Sequence, residues 1–197
     1  MDDVATRTLK QETRRNMRAL RNALPPQEHA AASAAICDNL LQFMDWKALP
    51  DRACIGMFCP VKSEVDITAL SEPLRARGYR LALPVTVGAT GMIFRVWNRD
   101  AGLVDAGFGT VGPKADAEEV LPDCLLMPLL AFDSQCNRLG YGAGHYDRYI
   151  SERIIQNSRP YLVGLAFALQ QLDKIPVGEY DLPLDAIFTE KEIIVPA

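Results

Sequence analysis

The residues best able to do chemistry lie in one run, Asp133-Ser-Gln-Cys-Asn-Arg138-Leu139-Gly140-Tyr141-Gly142-Ala143-Gly144-His145-Tyr146-Asp147-Arg148, directly after an apolar segment and directly before a helical one. Three alternating glycines at a strand-to-helix turn let backbone N–H groups converge on an anion, and the helix N-terminus adds partial positive charge. That chemistry suits a phosphate. No GK[ST] follows, so the run is not a Walker A loop; His145 stands where the third glycine of GxGxxG belongs, so it is not a dinucleotide fingerprint either. Arg138 has the fork geometry for a phosphate. Asp147, in the first helical turn, either meets a magnesium ion or serves as a helix-capping acid.

A second candidate is Phe58-Cys59-Pro60-Val-Lys62-Ser-Glu64-Val-Asp66-Ile-Thr68, at the C-terminal end of an expected strand, where open α/β sheets place ligands. Glu64 is able to accept hydrogen bonds from an amino-substituted heterocycle. The alternative is a turn in which Asp66 caps the next helix and Glu64 is merely solvated. Further on, Tyr180-Asp181-Leu-Pro-Leu-Asp185 offers two carboxylates in a loop, a place where acids are usually just solvated.

Charge singles out a third region. The 197 residues carry a net charge of -4, yet Arg7, Lys10, Arg14, Arg15, Arg18 and Arg21 with the single acid Glu12 give +5 between residues 7 and 21, which leaves -9 elsewhere. An overall acidic chain is a poor nucleic-acid coat, whereas a local cation cluster can receive a small anion. At ~100° per residue Lys10, Arg14, Arg18 and Arg21 share roughly one 80° sector, beside a stripe of Leu9, Thr13, Met17, Leu20 and Leu24. The stripe is expected to pack and the sector to present its charges.

These residues need a scaffold. Helical periodicity spans about Thr6–Leu24, closed by Pro25-Pro26, and an Ala-rich second helix runs from Gln27 to Trp46. Ala53–Cys59 reads as a buried strand, Asp66–Arg77 as a helix closed by Gly78, and Arg80–Leu83 as a strand ending at Pro84, which makes a βαβ unit. Met92–Trp97 alternates like a strand, and Gly102–Gly112 reads as a long ordered loop. A strand at Cys124–Ala131, a helix at His145–Gln156 and strands at Tyr161–Phe167, Ala186–Phe188 and Ile193–Val195 follow. The expected fold is α/β: one domain over 1–197, a mostly parallel sheet with helices on both faces in a Rossmann-like three-layer arrangement, preceded by a helical arm, 1–46, packed on the core.

No stretch reaches the ~18 apolar residues of a membrane span and no signal pattern opens the chain, so a cytoplasmic location is expected. The five cysteines, Cys37, Cys54, Cys59, Cys124 and Cys136, have no paired spacing, and only His29 and His145 are available as imidazoles. A structural zinc site is therefore not expected, and a metal, if bound, is a hard one held by carboxylates.

Taken in order, Lys10-x-x-x-Arg14, Glu64-Val-Asp66, Phe108-Gly-x-x-x-Pro113, Phe132-Asp133, Arg138-Leu-Gly-x-Gly-x-Gly-x-Tyr-Asp147-Arg148 and Asp181-x-x-x-Asp185 resemble the 5-formyltetrahydrofolate cyclo-ligase (methenyltetrahydrofolate synthetase) family, over nearly the whole chain. The resemblance implies ATP- and Mg2+-dependent closure of 5-formyltetrahydrofolate to 5,10-methenyltetrahydrofolate, with release of ADP and phosphate. It places ATP at Lys10, Arg14 and the run Arg138, Leu139, Gly140, Tyr141, Gly142, Ala143, Gly144, His145 and Tyr146. It places folate at Cys59 and Glu64, and Mg2+ at Asp147 and Asp181. The implied partners are ATP and a reduced folate that can carry a polyglutamate tail, for which Lys62 or Arg95 are candidate contacts. No nucleic acid and no membrane are implied, and a monomer is slightly favoured. Four positions depart from the family pattern: Cys136 for a turn glycine, Ala143 for a loop glycine, His145 for a tyrosine and Tyr180 for a histidine. Two other readings compete: a paralogue that activates a different formyl or amide substrate, and a non-catalytic protein that uses the basic helix on RNA.

Overall fold

The computed structural model describes residues 4–107, 109–178 and 181–196. Phe108 of the Phe-Gly motif and Tyr180, one of the departures, lie outside the described residues.

The first two helices are α1 (Val4–Asn22) and α2 (Pro26–Phe43). Pro26 opens α2, where a missing N–H costs nothing. The helix stops three residues short of Trp46, because Met44 turns extended and Trp46–Ala48 forms a separate 3-10 turn on the Asp45 side chain. The chain continues through β1 (Cys54–Gly56), α3 (Ser71–Ala76), β2 (Arg80–Val87) and β3 (Gly91–Val96). Helix α3 is shorter than expected: the Asp66 carboxylate accepts from Thr68 N and Oγ1 at 3.0 and 2.7 Å, and residues 68–70 form a 3-10 turn before α3 begins.

Strand β2 does not end at Pro84; it continues to Val87, paired with β3. Met57 N donates to Ala82 O at 2.8 Å, so Pro84, two residues on, turns its nitrogen toward the same side, past the end of β1, where no ladder bond is lost. The expected loop at 102–112 is instead a hairpin of β4 (Val104–Gly107) and β5 (Thr110–Gly112), fixed to β2 by Thr86 Oγ1 donating to Ala106 O at 2.6 Å. Its valines, Val104 and Val111, are exposed, so the strands carry little hydrophobic pattern.

After β6 (Glu119–Val120) comes the central strand β7 (Cys124–Pro128). A small hairpin of β8 (Ala131–Phe132) and β9 (Arg138–Leu139) then precedes α4 (His145–Ile155). The glycine run thus leaves a hairpin rather than the sheet strand. Strands β10 (Tyr161–Leu165), β11 (Ala186–Phe188) and β12 (Ile193–Ile194) complete the fold.

Among the described residues the main sheet has the order β12-β11-β10-β7-β1-β2-β3-β6. The five inner strands, β11 to β2, run parallel, and the antiparallel pairs lie at the two edges. β7 reads as an unbroken apolar run because both of its faces are covered. One face packs on α2, the 68–70 turn and α3 through Ile36, Leu40, Leu70 and Leu74, and the other on α4 through Tyr149 and Ile150. Helix α1 lies apart from both layers, with Met17 on Ala131, Leu139 and Ile175. No helix among the described residues is long and apolar enough to cross a membrane.

Candidate active site

Helix α1 reverses the expected division of its faces. Leu9 and Leu20 are about half exposed, and the buried residues are Lys10, Met17 and Arg21. Two cations of the sector, Lys10 and Arg21, turn inward beside Met17 because oxygen atoms stand opposite them, while Arg14 is half-buried and Arg18 exposed. Lys10 Nζ meets Asp181 Oδ2 at 2.5 Å; Arg14 Nε donates to Gly140 O at 2.8 Å; Arg21 donates to Tyr141 Oη at 2.7 Å. Buried cations persist where such partners satisfy them.

The partners of Arg14 and Arg21 sit on the glycine run. Arg138, 8 % exposed on β9, donates from one guanidinium nitrogen to Leu182 O at 2.6 Å and from the other to the Asp147 carboxylate. The side chains of Lys10, Asp181, Arg138 and Asp147 are thereby connected through residues 181–182. Leu139 is buried beside Met17 and holds the run down on α1. Gly142 has φ 101°, and a Cβ there would stand 3.2 Å from Arg14 Cζ. Gly144 is left-handed, with φ 69°, at the N-cap of α4. A glycine at each of these positions lets the main chain turn tightly against an arginine. The carbonyl of Ala143 accepts from Arg148 at 2.6 Å, and Thr90 O, in the β2–β3 turn, lies 3.1 Å from both His145 Nδ1 and Arg148 Nε. His145 therefore docks α4 on that turn.

Between α1 and the run lies a groove of about 540 Å³, lined by Gln11, Arg14, Arg15, Arg18, Tyr141 and Gly142 among others. Arg18 and Arg21 lie over the Tyr141 ring at 5.9 and 5.7 Å. A concave, cationic surface beside backbone N–H groups and a helix N-terminus can receive a polyphosphate.

The second candidate segment reaches the same place. Glu64 is not solvated; it is 5 % exposed, and Val61 N donates to its Oε2 at 2.8 Å. Burial pushes its carboxyl above the ordinary value, against hydrogen bonds from Tyr141 and Val61 and the nearby Arg21 charge, which pull it down. Asp66 makes the turn expected of it, and His29 Nε2 lies 2.9 Å from Glu64 O. Cys59 is half-buried, and burial raises its thiol, so it offers a neutral S–H rather than a nucleophilic thiolate. The phenol of Tyr146 is also raised by burial and lies within electrostatic reach of Glu64, Arg138 and Cys59. Lys62 is exposed in the same turn; Arg95, on β3, donates to Lys114 O at 3.3 Å.

Among the described residues no three His, Cys, Asp or Glu side chains gather as a complete metal-ligand set. Asp147 and Asp181 are partly exposed hard donors paired with Arg138 and Lys10, and two carboxylates suit an ion that takes its other ligands from phosphate and water. Two acids of the motif set have structural partners instead. Asp133 accepts at 3.0 Å from Gln135 N, Asn137 N, Asn137 Nδ2 and Ile175 N, while Asp185 holds Arg159 and Leu162 N. Cys136 occupies its turn-glycine position with φ 58°. Sequence reasoning passed over the particular role of Arg21, which looked like its neighbours on the wheel, and of Thr90, which acts through a carbonyl and leaves no trace in residue type.

Known proteins resemble this chain in sequence and in fold. The model of the 5-formyltetrahydrofolate cyclo-ligase family matches residues 6–190. The 5-formyltetrahydrofolate cyclo-ligase of Escherichia coli strain K12 is 31% identical over 183 residues, covering 90% of this chain and 98% of that protein. That of Haemophilus influenzae is 29% identical over 181 residues, covering 89% and 94%. Among solved structures, the 5,10-methenyltetrahydrofolate synthetase of Aquifex aeolicus has a TM-score of 0.79 at 28% identity and covers 95% of this chain and 92% of that one. The synthetase of Mycoplasma pneumoniae has a TM-score of 0.73 at 25% identity, covering 92% and 99%. With matches that run nearly end to end in both sequence and fold, the chain belongs to the 5-formyltetrahydrofolate cyclo-ligase family.

Proposed function

We propose that this protein converts 5-formyltetrahydrofolate and ATP to 5,10-methenyltetrahydrofolate, ADP and phosphate. The observation that carries the reading is the junction at Tyr141 and Tyr146, where the cation-lined glycine run meets the buried carboxylate of Glu64. One side suits a polyphosphate, the other an amino-substituted heterocycle.

The formyl oxygen is a poor leaving group. Its attack on the γ-phosphorus releases ADP and leaves an N5-iminium phosphate; N10 then attacks the formyl carbon, the C–O bond breaks with loss of phosphate, and N10 gives up its proton. Phosphoryl transfer of this kind depends on in-line placement and charge neutralisation more than on covalent catalysis. Lys10, Arg14 and Arg138 neutralise the phosphates, and the main chain from Leu139 to Tyr146 cradles them. Glu64, beside Cys59, orients the folate ring. Asp147 and Asp181 are the residues that would hold Mg2+, which supplies neutralisation of phosphate charge when bound. The five free cysteines suit a reducing, cytoplasmic setting.

Incubation with 5-formyltetrahydrofolate, ATP and Mg2+ is expected to generate the near-ultraviolet absorbance of the methenyl product. Absence of any ATP-dependent product at every folate concentration overturns the reading, and full activity in both Arg138→Ala and Asp147→Asn overturns the site assignment.

A further inference from the structure

Arg21 is 3 % exposed and carries more bonds than any role in binding phosphate requires. Its Nε donates to Ser63 Oγ at 3.1 Å, its Nη1 to Leu129 O at 3.3 Å and its Nη2 to Tyr141 Oη at 2.7 Å. A guanidinium only donates, so the phenol oxygen must accept from it, and the one phenolic hydrogen is left free to turn toward the Glu64 carboxylate, whose charge acts on Tyr141. Ser63, held by the same guanidinium and bonded to Asn22 of α1, is the residue before Glu64. One buried side chain of α1 thus fixes both the main chain beside Glu64 and the hydroxyl that faces its carboxylate.

We propose that Arg21 is a positioning residue for folate recognition, acting through Tyr141 on Glu64. An ionised carboxylate has about four lone-pair positions. Val61 N takes one, the proposed role gives the Tyr141 hydroxyl a second, and the remainder are left for a ligand. Without the phenol the carboxylate loses the partner that sets its plane. This role rests on the folate reading of Glu64 given above, and it assigns the Tyr141 side chain to the folate half of the site although its main chain belongs to the phosphate run.

Tyr141→Phe removes only the hydroxyl and keeps the ring under Arg18 and Arg21. It is expected to raise KM for 5-formyltetrahydrofolate about tenfold, the scale of a hydrogen bond to a charged group, with KM for ATP within about twofold of wild type. Arg21→Met is expected to give the same split, and the double variant to be no worse than Arg21→Met alone, because both changes cut one connection. An unchanged folate KM in Tyr141→Phe, an equal rise in both KM values, or additive losses overturns the proposal. If Arg21→Met fails to fold, Tyr141→Phe decides by itself. A readout independent of turnover is the carboxyl resonance of Glu64 in 13C-glutamate-labelled protein, assigned by its loss in Glu64→Gln. The groups facing Glu64 are Arg21 from α1, His29 from α2, Tyr141 from the glycine run and Tyr146 from α4. Loss of the Tyr141 hydrogen bond is expected to move the Glu64 midpoint to higher pH. An unmoved midpoint overturns the positioning role even in a protein that does not turn over folate, whereas a moved midpoint in an inactive wild type overturns only the functional reading.

Discussion

The two ends of the sheet carry grooves of nearly equal size, about 540 Å³ beside the glycine run and about 530 Å³ at the opposite end, where Asp45, Asp123, Arg153, Arg159 and Tyr161 contribute. Both hold arginines and aspartates, and their charges are used differently. At the opposite end each group secures nearby backbone: Asp123 accepts from Cys54 N at 2.8 Å, Arg153 donates to Ser158 O at 3.0 Å, and Asp185 pairs with Arg159 at 2.8 and 2.9 Å while accepting from Leu162 N at 2.7 Å. These contacts align the starts of β1 and β10. Beside the glycine run, Arg14 and Arg21 of α1 bond a loop that only glycine allows to turn so closely, while Lys10 of α1 and Arg138 of β9 are tied to Asp181 and Leu182 next to it. Aspartates and arginines in a groove therefore indicate little by themselves. Charges from separate elements gathered around a left-handed loop indicate a ligand.

The sharpest way to break this contrast is Arg138→Ala. It removes a preorganised cation from the phosphate side, and kcat/KM in the methenyl absorbance assay is expected to fall about 10²–10³-fold. Retained activity would place the run with the structural end.

Glu64→Gln follows, with a loss of about 10–100-fold in kcat/KM, since a charged acceptor is replaced by a neutral one. Its stability is expected to move the other way. The folded state raises the Glu64 pKa, so wild type is most stable below the unfolded value and loses that contribution as pH rises through the raised one. The amide does not ionise, and thermal unfolding at pH 8 is expected to show a higher Tm than wild type, with the difference vanishing near pH 4. A lower Tm at pH 8 would show that ionised Glu64 stabilises the fold.

Gly142→Ala forces a side chain into φ 101° and against Arg14. The strain is about 1–2 kcal/mol, and with Arg14 displaced KM for ATP is expected to rise about tenfold while KM for folate changes little. The smallest effect on activity is expected at the opposite end: Asp185→Asn weakens a partly exposed ion pair worth about 1 kcal/mol or less, lowering Tm by about 2–4 °C with kcat/KM within about twofold. A large activity loss at full folding would mean that this end, too, serves the reaction.

Much of the fold could be read directly. The inner parallel strands are apolar runs, α1 has clear periodicity, α2 is Ala-rich, and the order of elements leaves few topologies. Where the reading failed, the local pattern was weak. The 104–112 hairpin exposes its valines; α3 is shortened by a side-chain turn at Asp66; Pro84 stays in a strand because β1 ends beside it. The glycine run, Arg138 and Asp147 stand out in the sequence because their residue types recur at fixed spacing between an apolar segment and a helix. Arg21 was not, since on the helical wheel it equals Arg14 and Arg18, and only the positions of Ser63, Leu129 and Tyr141 distinguish it.

The sequence by itself determined the α/β class, the glycine run and the concentration of positive charge on α1, because each depends on residue type and local spacing. The tertiary structure decided that Lys10 and Arg21 of α1 turn inward, that Glu64 is buried rather than solvated, and that Arg21 reaches the Tyr141 hydroxyl. Those outcomes depend on which oxygen atoms stand opposite a side chain after segments more than a hundred residues apart have packed, and no local pattern encodes that distance.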